Sequence, residues 1–429
     1  MFTFDSQLKL QAAFTVLHQN KKKIINDPVH GFITLPSAFV FDVMEHRYFQ
    51  RLRRIRQLGL TDYVYPGALH TRFHHAIGAM HLMGIALQTL REKGHAISED
   101  EWEAAHLAIL LHDIGHGPFS HALEHSLMQG ISHERISLLI MEALHEEMGG
   151  NLALAIEIFT NTYHRKFFHE LVSGQLDVDR LDYLRRDSFF TGVTEGNVGA
   201  SRILRMLEVV DGHLVIEEKG IYSIEHFIGA RRLMYWQVYL HKTTLAAEQM
   251  LISLIKRARV LAQEQGLVAP STALQIFLAT NISEEDFAQN PDYLRAYTDL
   301  DDIDVWACIK QWQHHPDKVL SFLSRSILDR KMFKVAFANE PFDTAEIAAL
   351  SEQVAQTHQL SAEELPFLFL QGSVTNAAYI GGNRNIKILS KTGQIIDLAQ
   401  ATDLPNIEAM RKIVKKYYLC RPKNISLRD

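Results

Sequence analysis

At 429 residues, 47% of them hydrophobic and 22% charged, the chain has ordinary globular composition and is long enough for two or three domains with sizeable cores. Its net charge of −6 and pI near 6.4 give no global basic field, so neither nucleic acid nor a membrane surface is an expected partner, and any phosphate binding must come from a local cluster. Two cysteines, Cys308 and Cys420, exclude a disulfide framework and fit a reducing cytoplasm; no apolar run approaches membrane-spanning length, and Lys21-Lys22-Lys23 follows the weakly apolar start, the reverse of a signal peptide.

Histidine is the outlier. Of 23 in the chain, 11 lie between His70 and His133, and such a concentration of titratable, metal-competent groups points to a site there.

Residues 23–35 read as two short extended pieces around an Asp-Pro/His-Gly turn. A helix capped by Ser37 is expected to run through Leu58, carrying four arginines between Arg51 and Arg56 that suit either a solvated face or a phosphate clamp. After a loop from Tyr63, His75 and Gly78 enter a helix whose small residues permit close packing. His74 and His75 offer one ligand and one spare, and spacing alone does not choose between them.

Ser98 with Glu101 makes a capping box ahead of the apolar run 104–111, a buried helix that delivers HDIGHGPFSH, His112 to His121. Gly115, Gly117 and Pro118 stop that helix within a turn. HDIGH imitates the HExxH of zinc proteases, but that motif needs a continuing helix to set its two histidines side by side. A close set of nitrogen and oxygen ligands suits a divalent metal instead, whereas any one helical histidine taken alone is an ordinary core or surface residue. Ser132 caps the next helix, and Asp177 to Asp187 places Asp179, Asp182 and Tyr183 on one helical face, either completing a metal site or forming exposed salt bridges.

Residues 213–223 suggest a hairpin about Glu217-Glu218-Lys219-Gly220. One long helix is then expected from Ile224 to Ala262, with Arg231, Tyr235 and Tyr239 at i+4 intervals on a face that meets a polar ligand or simply packs. Ser253-Leu254-Ile255-Lys256 and Lys391-Thr392-Gly393 match two serine β-lactamase motifs, but the third is missing and the first lies in an amphipathic helix. Helices continue to about Ala336, and from Pro341 the texture is mixed: a helix over 344–358, a strand near 367–370, a turn at Gly381-Gly382-Asn383, a hairpin over 386–398, a helix near 407–415 and a final strand.

His75, His112, Asp113 and Asp179 together form H…HD…D, and the chain resembles the HD-domain metal-dependent phosphohydrolases. Residues 23–28, 49–53, 72–75, 112–121 and 177–183 look more closely like the deoxynucleoside-triphosphate (dNTP) triphosphohydrolases related to the mammalian sterile-alpha-motif and HD-domain enzyme, over about residues 23–260 and more weakly to about 336. The resemblance implies a mainly α fold with an HD-domain helical core, to which the patterning adds small β-hairpins and, from the mixed texture after Pro341, a small α+β C-terminal module. The chain is thus expected to divide into an N-terminal extension (1–22), an HD catalytic domain (23–265), a helical extension (266–340) and the C-terminal module (341–429).

It also implies a divalent metal (Mn, Fe, Mg, Zn or Ni) on His75, His112, Asp113 and Asp179, and hydrolysis of a dNTP to deoxynucleoside and triphosphate. His121 is then the first choice of proton donor with Glu124 orienting it, and His116 and His133 are competitors. Arg72, Arg180 and Tyr183 match triphosphate contacts; Asp187, Arg231, Tyr235 and Tyr239 match the pocket wall; Gln57 and Leu58 match sugar contacts. Lys23, Asn26, Gln50, Arg53, Arg330 and Lys334 match a second, activating nucleotide site between subunits of a dimer or tetramer. There Glu45 replaces the guanine-reading aspartate, while in the substrate pocket Tyr235 replaces a family histidine. The alternatives are hydrolysis of another ester, such as a cyclic nucleotide, a nucleotide monophosphate or an alarmone, and a nucleotide-sensing module with vestigial catalysis.

Overall fold

The computed structural model describes residues 23–128, 130–266, 269–376, 385–403 and 413–423, and the side chains of His121 and His125 lie outside what it describes. The chain is mainly helical, with three small sheets among the described residues. Strands β1 (Ile24–Asp27) and β2 (Gly31–Thr34) form an antiparallel hairpin with Asp27 opposite Gly31. Helix α1 (Ala38–Glu45) begins at Ser37, whose side chain accepts from the amide of Val40.

The helix expected to reach Leu58 ends at His46. That residue is extended and caps a second short helix, Arg47–Gln50, through its ring nitrogen; a 3-10 turn, Arg51–Arg54, follows.

The centre of the fold is α2 (Arg72–Glu92), packed along α3 (Glu99–Leu111) on one side and α6 (Val178–Thr191) on the other. Close approach to α6 requires Gly78: a Cβ there would lie 2.1 Å from Asp182 Oδ1 and 2.2 Å from Arg186 Nη2. Ser98 and Glu101 make the expected reciprocal capping box at the start of α3. Helix α3 stops at Leu111, and α4 (Ser120–Leu127) and α5 (His133–Glu147) carry the chain away from the turn between.

Strands β3 (Leu207–Val210) and β4 (His213–Glu217) form a hairpin whose turn is Asp211-Gly212, not the expected Glu217–Gly220, which is a 3-10 turn. Both turn residues have positive φ, 52° and 77°, as a two-residue hairpin loop demands, and Asp-Gly supplies that at little cost. The long helix expected from Ile224 is also broken. Helix α7 (Ile221–Met234) passes into a π-helical turn, Tyr235–Tyr239, and α8 (Lys242–Gln265) starts afresh with His241 as its cap.

Beyond α8, helices α9 (Asp302–Trp312) and α10 (Lys318–Leu328) lead to β5 (Lys334–Ala338), a strand where helix was expected. After α11 (Thr344–His358), strand β6 (Leu370–Asn376) begins later than expected, since Leu365–Phe367 is a 3-10 turn. The expected hairpin is present as β7 (Lys387–Leu389) and β8 (Ile395–Asp397), turning at Gly393 with φ 82°. Strand β9 (Val414–Arg421) lies between β5 and β6.

These pairings cut across the expected borders at 265 and 340. Strand β7 runs parallel to β4, and β5 belongs to the C-terminal sheet. The extension 1–22, the Gly381-Gly382-Asn383 turn and most of the helix expected near 407–415 lie outside the described residues. Cys308 and Cys420 are free and buried, and no described helix is long and apolar enough to cross a membrane.

Candidate metal centre and substrate pocket

The turn after α3 is held by its own carbonyls. Ser137 Oγ donates to the carbonyl of His112, Arg51 donates to those of Ile114 and His116, and Tyr297 Oη donates to that of Gly115. Such buried acceptors must be satisfied, and here one serine, one fully buried arginine and one tyrosine satisfy four of them. A Cβ on Gly115 would lie 2.2 Å from the carbonyl oxygen of His133, so the turn admits only glycine. Arg51, expected on a solvated face or in a phosphate clamp, is instead the structural support of this turn.

The turn brings His112 and Asp113 opposite His75 of α2 and Asp179 of α6. Ligand atoms of His75, His112 and Asp179 lie within 4.8 Å of one another. Asp179 Oδ1 is 3.0 Å from His75 Nε2 and 3.5 Å from His112 Nε2. Asp113 stands beside them, with Oδ1 3.3 Å from His112 Nε2 and Oδ2 3.8 Å from His75 Nε2. The spare histidine is His74, whose Nδ1 accepts from the amide of Thr71 at the start of α2.

The donor set fits a divalent cation. Both Nε2 atoms are buried without a directed hydrogen bond, while both Nδ1 atoms are committed. His112 Nδ1 donates to the carbonyl of Ile109 at 2.6 Å, which fixes its tautomer and leaves Nε2 as a lone pair; His75 Nδ1 is 2.8 Å from Asp182 Oδ2. Burial lowers the His75 pKa, but the carboxylates of Asp179 and Asp182 on either side outweigh it and raise it to about 10. A proton and a cation therefore compete for this imidazole. Burial alone would raise the Asp113 and Asp179 carboxyls, but the facing histidines, together with Arg72 for Asp113, hold both below the usual carboxylate range.

Asp182 is the hub of a fully buried second layer. It accepts both Nε and Nη2 of Arg186 at 2.9 Å, and His30 Nε2 lies 2.6 Å from its other face. Arg186 also reaches Asp27 at 2.8 Å, and Asp27 folds its own turn by accepting from the amides of Val29 and His30. The sequence reading placed Asp182 beside the site but treated Asp27 and His30 as turn residues and gave Arg186 no role. The only local signals were an aspartate able to make an Asx turn and an arginine four residues after Asp182.

A second group, Asp113, His116 and His133, adjoins the first. The His116 and His133 rings stack at 3.8 Å, and Glu124 Oε1 meets both the amide and Nδ1 of His133 at 2.8 Å. The expectation gave Glu124 to His121; its described partner is His133, because α4 and α5 place Glu124 at the N-terminus of α5, where an acceptor is needed. Burial would raise the Glu124 pKa, but its bonds to His133 lower it to about 2. Burial and the Arg72 charge push the His116 pKa well below its ordinary value, so that imidazole is neutral.

Of the expected substrate contacts, Arg72 is buried and grips Asp113 and Ser120, so it braces a proposed ligand carboxylate. Tyr183, Tyr235 and Tyr239 form one aromatic wall. Tyr183 lies 6.4 Å from His75 and 6.3 Å from Tyr239, Tyr235 lies 5.1 Å from Tyr239, and the Arg231 guanidinium lies 5.7 Å from the Tyr235 ring. The π-helical turn lets the two later tyrosines lie along this wall. Asp187 is buried and occupied, accepting from Tyr239 Oη at 2.7 Å with His70 Nε2 at 2.7 Å. Gln57 Oε1 is buried without a partner, and Leu58 is half-buried near it in the chain. Arg180 pairs with Asp177.

The expected regulatory residues fall into two sets. Lys23, Asn26, Glu45, Gln50 and Arg53 lie on or near the surface around β1 and α1, with Arg53 Nε donating to Gln50 Oε1 and its guanidinium 3.6 Å from the Phe73 ring. Arg330 and Lys334 are exposed beyond α10, Arg330 donating to the carbonyl of Tyr63. No hydrogen bond or ion pair among the described residues joins the two sets.

Residues 198–269 match the model of a family described as the HD associated region. The crystal structure of a phosphohydrolase from Bacteroides thetaiotaomicron superposes with a TM-score of 0.90 at 51% identity, covering 94% of this chain and all of that one. YwfO of Bacillus subtilis is 30% identical over 95% of this chain and 93% of its own length. The human deoxynucleoside triphosphate triphosphohydrolase SAMHD1 is 30% identical over 56% of this chain and 45% of its own, so the chain spans about half the length of that relative.

Proposed function

The chain belongs to the HD-domain phosphohydrolases, and we propose that it hydrolyses dNTPs to deoxynucleoside and intact triphosphate, in the cytoplasm and under nucleotide control. One observation carries this reading: a cation-competent His/Asp cluster opens beside a wall of tyrosines flanked by Arg72, Arg180 and Arg231, which suits a nucleoside sugar attached to several phosphates. The named activity of the SAMHD1 relatives supports the same substrate class.

His75, His112, Asp113 and Asp179 would hold the divalent ion. When bound, such an ion supplies Lewis-acid neutralisation of phosphoryl charge and lowers the pKa of water. Arg72 and Arg180 bind the phosphate oxygens and offset their growing charge. Tyr239, held by Asp187, stands against the sugar, where a 2′-hydroxyl would be crowded out.

Water adds to the α-phosphorus, the bond to the 5′-oxygen breaks and that oxygen takes a proton, giving a free 5′-hydroxyl and tripolyphosphate. For the donor, His121 is the first choice by motif position, and His133, oriented by Glu124 with His116 stacked on it, is the competitor that the described contacts support. Lys23, Asn26, Glu45, Gln50 and Arg53 of one subunit, with Arg330 and Lys334 of another, would form the activating nucleotide site of a homo-oligomer.

The test is product analysis on a panel of four dNTPs with Mn, Fe, Mg, Zn or Ni, with and without a second nucleotide. Deoxynucleoside with tripolyphosphate is the expected result. Deoxynucleoside monophosphate with pyrophosphate, or turnover confined to a cyclic nucleotide, a monophosphate or an alarmone, would overturn it.

A further inference from the structure

A cavity lies against α6 and α7, the helices that also carry Tyr183 and the start of the tyrosine wall. Arg180 on α6 and Arg231 on α7 both line this cavity of about 360 Å³, within the range of small-molecule sites, roughly 300–1,000 Å³. Arg180 directly follows the proposed ligand Asp179 on α6, so one lining residue neighbours the metal cluster along the helix. Its opposite wall comes from the far end of the chain. The parallel pairing of β7 with β4, Ile216 to Ile388 and Glu217 to Leu389, carries Lys387 into the lining.

The charge of this cavity runs against that of the protein. Arg180, Arg231 and Lys387 line it, and among the described residues Glu170 is the sole acidic one in the lining. Glu170 is already engaged, with His213 Nδ1 at 2.7 Å and the amide of Leu214 at 2.6 Å. Among the described residues, the half-buried Lys387 side chain makes no hydrogen bond or ion pair, and Arg180 Nε is buried without a partner. Half-burying an ammonium with no counterion is costly, and a bound anion relieves that cost.

We infer that this cavity receives the terminal phosphates of the nucleotide and that Lys387 is a specificity-determining contact that measures phosphate-chain length. The inference rests on the nucleotide reading above and deepens it, giving the C-terminal segment a part in substrate choice. A monophosphate held at the metal cluster would not extend to Lys387, while a triphosphate would. An ammonium is a flexible point charge, so arginine should serve in its place and methionine should not.

Calorimetric titration of the full chain with inorganic tripolyphosphate, and separately with orthophosphate, tests this. The expected result is tighter binding of tripolyphosphate than orthophosphate by the natural chain. Lys387→Met should weaken tripolyphosphate about tenfold while Lys387→Arg stays within about threefold of the natural chain. A thermal melt of each variant confirms that it is folded. Equal tripolyphosphate affinity in the natural chain and a folded Lys387→Met variant would overturn the inference. The two proposals fail separately: dNTP hydrolysis alongside a Lys387-independent affinity sinks the cavity assignment alone, while Lys387-dependent binding without dNTP hydrolysis sinks the substrate reading alone.

Discussion

His75 carries two carboxylates on one ring, Asp179 at Nε2 and Asp182 at Nδ1, and the two have different work. The first would share the cation; the second fixes which nitrogen faces it. Asp182→Ala should therefore keep the proposed ligands but lower metal affinity about 10–100-fold by chelator competition, since orienting partners are commonly worth that much. An affinity unchanged in this variant would remove the orienting role assigned to Asp182. His112→Ala, which removes a proposed ligand, should abolish metal retention and turnover; full activity would contradict the assignment.

Glu124→Gln should lower kcat about 10²–10⁴-fold if His133 is the donor, because the carboxylate oxygen that meets both the amide and Nδ1 of His133 is replaced by an amide that holds the ring less firmly. A variant with full kcat would point to His121. The proposed ligands were legible because HDIGHGPFSH and the Asp177–Asp187 run are local patterns. Asp27 and Arg186 were not, since their contact spans 159 residues and no spacing rule reaches across it.

Between helices, the proposed site depends on how closely α2 meets α6. Gly78→Ala forces a methyl into the Asp182–Arg186 pair and should cost about 3 kcal/mol or more, seen as a lower Tm with loss of bound metal; a variant as stable as the natural chain would show that the helices can separate freely. On the far side of α2, His106 of α3 is buried against Trp102. Burial lowers its pKa to about 4, with a smaller push from Arg91 and His81. A depressed folded pKa means that the unfolded chain binds the proton better. Its contribution is thus present above about pH 6.5 and lost as pH falls toward 4, up to about 3 kcal/mol. His106→Phe should flatten the decline in Tm between pH 7 and 4 relative to the natural chain, and parallel profiles would remove the claim.

The sequence located α2, α3 and α6 through periodicity and caps. It missed the break at Tyr235–Tyr239 because Arg231, Tyr235 and Tyr239 also satisfy an unbroken 3.6-residue period. It missed the Asp211-Gly212 turn because Glu218-Lys219-Gly220 offered a competing glycine.

For the whole molecule, the C-terminal segment returns to the catalytic half instead of standing apart. Strand β7 extends the sheet that β4 begins, and β5 leaves the helical extension to join β9. Composition marked where the texture changes near residue 341 but carried no information on which strands pair, since that is decided by contacts that span 79 to 172 residues. At the same scale, Arg53→Ala should weaken nucleotide activation or assembly with little change in Tm, because the side chain is exposed and its partners among the described residues are Gln50 and Phe73. Sedimentation with and without added nucleotide checks this, and an unchanged oligomer distribution together with an unchanged nucleotide response would remove the subunit-interface assignment.

Everything proposed about chemistry depends on α2, the turn after α3 and α6 sharing one ion. Anomalous diffraction from crystals grown with Mn reads this directly. The account predicts a single strong peak roughly 2.0–2.3 Å from His75 Nε2, His112 Nε2 and oxygens of Asp113 and Asp179. Mn bound elsewhere, with those four side chains holding one another and no peak among them, would contradict it.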